Sequence, residues 1–187
     1  MVLRPWTIER GKVLFSHPRI VVTEEAVRLP NGQLVEDYLQ IAVAEHVVII
    51  VRADDGKFLL QRQYKHGPRA VVLTFPAGEI EPAEAPADAA RRELQEETGF
   101  RAKDWRYFGR FVLNGNQGAG AVHLLLAEGI EDAGRTLSAA DPDLEEQELL
   151  WLTEAELVEA AKGGQFKISS HALALALAVN PRLWPDR

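Results

Sequence analysis

Strand-like runs separated by turn residues fill the first half of the chain. Three of these runs precede residue 45, and they predict an N-terminal antiparallel β-meander that turns between its second and third strands at 30–32, where the sequence is Pro-Asn-Gly. The next two runs flank an Asp-Asp-Gly turn at 54–56 and predict a hairpin. The predicted strands are 13–16, 19–28, 33–43, 46–52, 58–64, 71–75, 106–113 and 121–127.

A helix is predicted at 85–98. Pro86 suits its first turn, apolar residues repeat along it at helical spacing, and Gly99 suits the position just after its last turn. The repeating residues are Ala87, Ala90, Leu94 and Thr98.

Two more helices are predicted near the end of the chain. Thr153 and Glu156 form a capping-box signature at the start of one, and the other begins after Ser169 or Ser170. The last segment is apolar nearly all round but too short to span a bilayer, so we expect it to pack against the sheet or a second subunit. Strands interleaved with helices predict an α/β layered fold.

Three glutamates lie close together in the last turns of the first helix. Glu93, Glu96 and Glu97 fall on one side of this helix and border its apolar stripe. Like charges three or four residues apart destabilise a helix by about 0.2–0.5 kcal/mol per pair, and carboxylates in the last turn oppose its dipole. Arg91 and Arg92 offset part of this charge. A hard divalent cation such as Mg²⁺ explains the cluster better than a solvated, Glu-rich helix face, which is the alternative.

The segment 78–100 has a specific spacing. It resembles the Nudix box, G-x5-E-x7-R-E-U-x-E-E-x-G-U with U aliphatic or bulky apolar, and every specified position agrees. The resemblance implies a loop–helix–loop within an α/β/α sandwich around a mixed sheet, binding Mg²⁺ or Mn²⁺. It also implies hydrolysis of a nucleoside diphosphate linked to another moiety. The matching residues are Gly78, Glu84, Arg92, Glu93, Leu94, Glu96, Glu97, Gly99 and Phe100.

The resemblance implies a set of metal ligands. Glu93 and Glu97 are the leading candidates, Glu96 comes next, and a main-chain carbonyl near Ala77 or Gly78 completes the set. The metal ions polarise the phosphoryl oxygens, lower the pKa of a bound water and stabilise the leaving phosphate. The same three glutamates are therefore the candidate catalytic residues.

Other residues are expected to support this chemistry. Within the box, the resemblance gives structural roles to Gly78, Glu84, Arg92 and Gly99. Glu84 and Arg92 are expected to hold the loop and the helix in register. A general base would take the proton of the attacking water. Glu145 and Glu146, in the acidic run 141–148, are the candidates, and a box glutamate is the alternative.

Segments outside the box indicate the substrate class. The sequences LPNG, LLQRQYKHG and FPAGEIE resemble the branch of ADP-ribose and nucleotide-sugar pyrophosphatases. Within the second of these, Arg62 is expected to pair with a substrate phosphate and Tyr64 to lie near it. The alternative is an exposed Arg and an inward Tyr on an ordinary strand.

A second candidate for substrate selection lies after the box. Many ADP-ribose hydrolases carry a proline about fifteen residues beyond the box, where this chain has Gly115 and Asn116. Instead, residues 114–120 predict an amide-rich loop in which Asn114, Asn116 and Gln117 approach a sugar or base. A plain hairpin connection is the alternative.

Composition narrows the partners and the location. A net charge of −7 without a basic run argues against nucleic-acid binding and against attraction to a membrane surface. The chain has no cysteine, which excludes disulfides and thiolate metal sites. No signal peptide, lipidation motif or apolar span of about twenty residues is present, so the cytoplasm is expected.

The expected function is divalent-metal-dependent hydrolysis of the pyrophosphate bond of an ADP-ribose-like nucleotide sugar, giving a nucleoside monophosphate and a sugar phosphate. The alternatives are GDP-mannose, ADP-glucose, NADH or a dinucleoside polyphosphate as substrate, or a nucleotide-sugar sensor without turnover. In the related hydrolases the N-terminal strands often pair or swap between subunits, so a homodimer through residues 1–44 is expected, with 45–187 as the hydrolase domain.

Overall fold

The computed structural model describes residues 3–134 and 146–185, which form two compact units. The first unit comprises the described residues up to Glu45 together with Val112–Ala121. The second comprises His46–Phe111 and the described residues from Val122 onward. Each unit is therefore built from two separate stretches of the chain.

The first unit contains the N-terminal meander. Strands β1 (Thr7–His17), β2 (Ile20–Arg28) and β3 (Leu34–Ala42) pair antiparallel in sequence order, which confirms the predicted meander. β1 begins at residue 7 rather than 13, and all its residues are exposed. A strand without a buried face has no one-sided apolar pattern, and its full length was therefore missed.

The second unit contains most of the remaining strands and all the helices. The strands are β4 (His46–Arg52), β5 (Phe58–Lys65), β6 (Ala70–Thr74), β7 (Ala77–Glu79), β8 (Phe100–Asn114), β9 (Gly118–Asp132) and β10 (Gln147–Leu152). The helices are α1 (Pro86–Thr98), α2 (Glu154–Lys162) and α3 (Ser169–Ala178), followed by a 3₁₀ turn at Pro181–Leu183. The ends of β8 and β9 that meet at residues 112–121 belong to the first unit.

The sheet of the second unit is mixed. β4 runs parallel to β9 and antiparallel to β5 and β7, while β5 also pairs antiparallel with β6 and β10. Both faces of its central strands are buried, and β4 is apolar from Val47 to Val51. Such continuous apolar strands are typical of a sheet covered on both sides.

Alternate side chains of β4 pack against helices on opposite faces. Val47 and Ile49 lie in a core cluster with Leu94 of α1. Val48 and Ile50 lie in a second cluster that includes residues of α2 and α3. Helices thus cover both faces of a mixed sheet, which confirms the predicted α/β/α fold class. The apolar α3 packs against the sheet, one of the two positions expected for it.

The ends of α1 follow from its sequence. Ala85 is extended (φ −78°, ψ 144°), and Pro86 takes the first helical position, where a missing N–H removes no helical hydrogen bond. Gly99 adopts a left-handed conformation (φ 79°), and its N–H donates to the Gln95 carbonyl. The helix predicted at 85–98 is confirmed to within one residue.

Two short strands lack a clear sequence signal. β7 has only three residues, too few for a period-two pattern, and β10 was not among the predicted strands. The capping box at Thr153 is confirmed, since its hydroxyl accepts from the Glu156 N–H and the Glu156 carboxylate accepts from the Thr153 N–H. No helix within 3–134 or 146–185 is long and apolar enough to cross a membrane.

Candidate active site

The last two turns of α1 lie against the backbone of β7. Gly78 of β7 faces Glu93 so closely that a Cβ atom at residue 78 would lie 1.8 Å from the carboxylate carbon of Glu93. Real Cβ atoms essentially never approach another heavy atom within 3.0 Å. A glycine is therefore required at residue 78 for the Glu93 carboxylate to sit over the strand.

Glu97 is held at the same place by two hydrogen bonds. Its Oε2 accepts from the Ala77 N–H at 3.0 Å and from the Gln61 side-chain amide at 3.0 Å. Burial of the carboxylate raises the pKa of Glu97 to about 7, and the charge of Glu93 acts in the same direction, against the lowering effect of the two hydrogen bonds. Ala77 therefore contacts the glutamate cluster through its main-chain N–H.

Arg92 connects the carboxylates of α1 with the loop before it. Its guanidinium binds both carboxylate oxygens of Glu84, at 3.0 and 2.9 Å, and the Glu79 carbonyl at 3.0 Å. It also donates to Glu93 at 2.7 Å and to Glu96 at 3.2 Å. The Glu84 carboxylate in turn accepts from the Glu81 N–H at 3.0 Å. The bidentate pair with Arg92 lowers the pKa of Glu84 and fixes the loop against the helix.

The carboxylate cluster provides the oxygen ligands that a hard divalent cation requires. Burial raises the pKa of Glu93 as well as that of Glu97, although Arg92 opposes the shift at Glu93 and the two hydrogen bonds oppose it at Glu97. Within the residues that the structure describes, no three acidic, histidine or cysteine side chains converge into a ready-made metal site. Arg92 instead takes one oxygen of Glu93 and one of Glu96. The all-oxygen donor set suits Mg²⁺ or Mn²⁺, and a cation would supply the missing positive charge.

Gln61 and Gln147 are contacts of Glu97 that the sequence analysis missed. Gln61 is fully buried in β5, and the side chain of Gln147 donates to the Glu97 main-chain carbonyl at 3.1 Å. The available signal was the alternation in LLQRQY, which places the glutamines at 61 and 63 on the buried side and the residues at 62 and 64 outside. A buried amide within an apolar strand requires partners, and here one of them is Glu97.

An open pocket of about 560 Å³ is lined by residues of β5, β6 and β10 and by Glu146. Its wall brings together three residues that the sequence singled out, Arg62, Tyr64 and Glu146. Arg62 pairs with Glu148 at 2.8 Å, and Tyr64 is half exposed. Tyr64 is therefore not the inward residue of the alternative interpretation. Glu145, the other candidate general base, lies outside the described residues.

The amide-rich segment at 114–120 is a tight turn in the first unit. β8 ends at Asn114 and β9 begins at Gly118, so the connection has three residues rather than the seven predicted. The side chain of Asn114 accepts from the N–H groups of Asn116 and Gln117, each at 2.9 Å. Gly118 has a positive φ of 76°, which lets the strand leave the turn directly. The prediction of a long loop was wrong, and Asn114 stabilises the turn.

His171 of α3 supports the backbone that leads to the site. Its Nδ1 accepts from the Phe75 N–H at 3.1 Å, two residues before Ala77. Burial, together with the nearby charges of His46 and Lys65, lowers the pKa of His171 to about 3, so the ring is neutral. His171 is therefore a buried, hydrogen-bonded structural residue.

Comparison with known proteins gives a consistent result. A family model described as the NUDIX domain matches residues 43–172. The ADP-ribose pyrophosphatase of Bacillus subtilis strain 168 is 29% identical over 80% of this chain and 77% of its own length. A CMP-5'-(N-acetyl-N-hydroxy-3-aminopropyl)phosphonate hydrolase of Streptomyces rubellomurinus is 26% identical over 91% of this chain and 80% of its own length. The crystal structure of an ADP compounds hydrolase matches the fold with a TM-score of 0.77 at 24% identity, covering 95% of this chain and 94% of that one.

Proposed function

Because this chain belongs to the Nudix family and is a Nudix pyrophosphohydrolase, we propose that it cleaves the pyrophosphate bond of an ADP-ribose-like nucleotide sugar. The products would be a nucleoside monophosphate and a sugar phosphate. The observation that carries the proposal is the carboxylate cluster of α1 held over Gly78. A pocket whose wall carries Arg62 supports it. The similarity to the Bacillus subtilis ADP-ribose pyrophosphatase supports the choice of sugar.

Glu93, Glu96 and Glu97, with the Ala77 carbonyl, are the proposed ligands of Mg²⁺ or Mn²⁺. When bound, the divalent cation supplies charge neutralisation at the pyrophosphate and a water of lowered pKa. Arg92 fixes the carboxylates of Glu93 and Glu96 through its hydrogen bonds and thereby orients the ligand set.

The pocket residues have proposed roles in binding and proton transfer. Arg62 would exchange its pairing with Glu148 for a substrate phosphate, which its planar guanidinium can bind in a bidentate manner. The half-exposed ring of Tyr64 offers a face against which a base or sugar can pack. Glu146, exposed at the same wall, is the proposed general base, with Glu145 as the alternative.

The similarity to known proteins constrains the type of reaction more than it constrains the nucleoside of the substrate. The Streptomyces relative acts, by its name, on a CMP derivative, so a substrate with another base or sugar is the second candidate. The panel of alternatives comprises GDP-mannose, ADP-glucose, NADH and dinucleoside polyphosphates. Asn116 and Gln117 lie in a turn of the first unit, and a role for them and Asn114 in substrate selection stays a prediction.

We also propose a homodimer formed through the meander, acting on a small nucleotide in the cytoplasm and not on nucleic acid. The support is the exposure of large apolar side chains along β1, where Ile8, Val13 and Phe15 are each more than half exposed. Exposed apolar surface of this extent marks interaction surfaces. Size-exclusion chromatography with light scattering would give the mass of a dimer if this is correct, and the mass of one chain if it is not.

Hydrolysis with and without Mg²⁺ across this panel tests the proposed function. Glu97→Gln should abolish metal-dependent turnover while the thermal unfolding temperature is retained. Asp88→Asn, on an exposed carboxylate in the first turn of α1, is the matched control and should leave turnover unchanged. Undiminished hydrolysis by Glu97→Gln would refute the metal-site assignment. Metal-dependent binding of ADP-ribose without turnover by the wild type would favour the sensor.

A further inference from the structure

Gln61 is a polar side chain in the middle of an apolar strand. It is fully buried, as are its neighbours Leu59 and Leu60. Burying an amide without partners is unfavourable, so a glutamine at this position requires hydrogen-bond partners. Both ends of the Gln61 amide are in fact hydrogen-bonded, and one partner is Glu97.

The neighbouring side chains fix which way round the Gln61 amide lies. The side-chain nitrogen of Gln63 donates to the Gln61 side-chain oxygen at 3.2 Å and to the Thr74 hydroxyl at 2.8 Å. The oxygen of Gln61 therefore faces Gln63, and its nitrogen must face Glu97. Reversing the amide would place two nitrogens against each other and an oxygen against a carboxylate.

The two oxygens of Glu97 have different surroundings. The hydrogen bonds from Gln61 and from the Ala77 N–H both end on Oε2. In the part of the chain that the structure describes, both of these hydrogen bonds to the Glu97 side chain fall on Oε2, and the charge of Lys65 also acts on the carboxylate. Two donors on one oxygen fix the plane of the carboxylate and occupy the lone pairs of Oε2. Oε1 is left to bind another positive group.

We propose that Gln61 is a positioning residue that, together with the Ala77 N–H, holds Oε2 of Glu97 and leaves Oε1 as the oxygen that binds the divalent cation. This inference rests on the proposed function, because it takes Glu97 as a metal ligand. Gln61 itself does not touch the metal or the substrate. It acts by fixing the rotation of a flexible carboxylate before the cation arrives, which lowers the entropy lost on binding.

Gln61→Met tests the proposal, because methionine is of similar length and cannot donate a hydrogen bond. Leu60→Met is the matched control, since it places a methionine at the next buried position of the same strand, which makes no hydrogen bond to Glu97. The measurement is Mn²⁺ affinity of the protein without substrate, from the electron paramagnetic resonance signal of free Mn²⁺. Removing such a supporting contact typically reduces metal affinity by about 10–100-fold. We expect this loss for Gln61→Met and a loss of less than about threefold for Leu60→Met.

The outcomes separate this inference from the proposed function. Unchanged Mn²⁺ affinity in Gln61→Met, or an equal loss in Leu60→Met, would overturn the role of Gln61 alone, provided that Glu97→Gln still weakens binding. Failure of the wild type to bind Mn²⁺, or of Glu97→Gln to weaken binding, would overturn both. If Gln61→Met does not fold, Gln61→Leu in a protein stabilised by sucrose gives the same comparison, with the same expected loss.

Discussion

Acidification should destabilise this protein through His171, and His171→Asn should remove most of that effect. The ring of His171 is buried and neutral, with Nδ1 accepting from the Phe75 N–H. An asparagine places its amide oxygen close to the position of Nδ1, so the substitution keeps an acceptor and removes the titration. The charged or titratable groups that act on the ring are His46 of β4 and Lys65 of β5.

The magnitude follows from the difference between the folded and unfolded states. Burial lowers the pKa of His171 to about 3 in the folded protein, against about 6.5 in an unfolded chain. The unfolded state therefore binds a proton that the folded state refuses, so stability is full above about pH 6.5 and is lost as the pH falls toward 3. Between about pH 7.5 and pH 5 this one group should remove roughly 2 kcal/mol of unfolding free energy. Glu97 opposes this trend, because its raised pKa favours the folded state as the pH falls, but that contribution is common to both proteins.

Differential scanning calorimetry in EDTA at the two pH values measures this difference. For a chain of this length, about 2 kcal/mol corresponds to roughly 4–8 °C in melting temperature. On acidification, the melting temperature of the wild type should fall by roughly 4–8 °C more than that of His171→Asn. His17→Asn, on an exposed histidine of β1, should behave as the wild type does. Equal losses in the wild type and His171→Asn would refute a buried, neutral His171, as would an NMR spectrum showing Nδ1 protonated at neutral pH.

Two further substitutions have clear expectations. Gly78→Ala should lower the metal-dependent rate by about 100-fold with little change in fold, because the new Cβ displaces the Glu93 carboxylate. Steady-state kinetics measures this loss. Thr153→Ala should remove the side-chain cap of α2 and about 1 kcal/mol of stability, seen as a fall of roughly 2–4 °C in melting temperature.

Each of these substitutions has an internal control. A Cβ at Gly67 would meet nothing within 4 Å, so Gly67→Ala should leave the rate unchanged. If Gly78→Ala also keeps the wild-type rate, the close approach of Glu93 is not required for activity. Thr153→Ser retains the hydroxyl and should keep the wild-type melting temperature. If Thr153→Ser lowers the melting temperature as much as Thr153→Ala does, the methyl group of Thr153, and not its hydroxyl cap, stabilises the helix.

The features predicted correctly from the sequence are those set by near neighbours in the chain. The ends of α1 depend on Pro86 and Gly99, and the three glutamates share one side of this helix by its periodicity alone. Their Nudix spacing lies within 23 residues, from 78 to 100, and needs no tertiary information. The capping box at Thr153 is local in the same sense.

The features that were missed depend on pairing between distant strands. Gln61 became a site residue only because β5 lies beside β4, which also carries β7 and hence Ala77. The turn at Asn114 looked like a long loop because glycines at 118 and 120 suggested flexibility, whereas both lie within β9 with positive φ. Neither result follows from composition, since each depends on what a strand is paired with.

The meander is not a detachable module. A shortened chain that begins at residue 46 would keep residues 112–121 but lose the strand that pairs with them. In that strand, Ile41 pairs with Gly118, and the Ile41 N–H donates to the Gln117 carbonyl. The side chain of Gln40 would likewise no longer bind the Asn116 carbonyl. A transplant of this catalytic scaffold into another protein must therefore carry both segments of the first unit, or else redesign the tip of the β8–β9 hairpin.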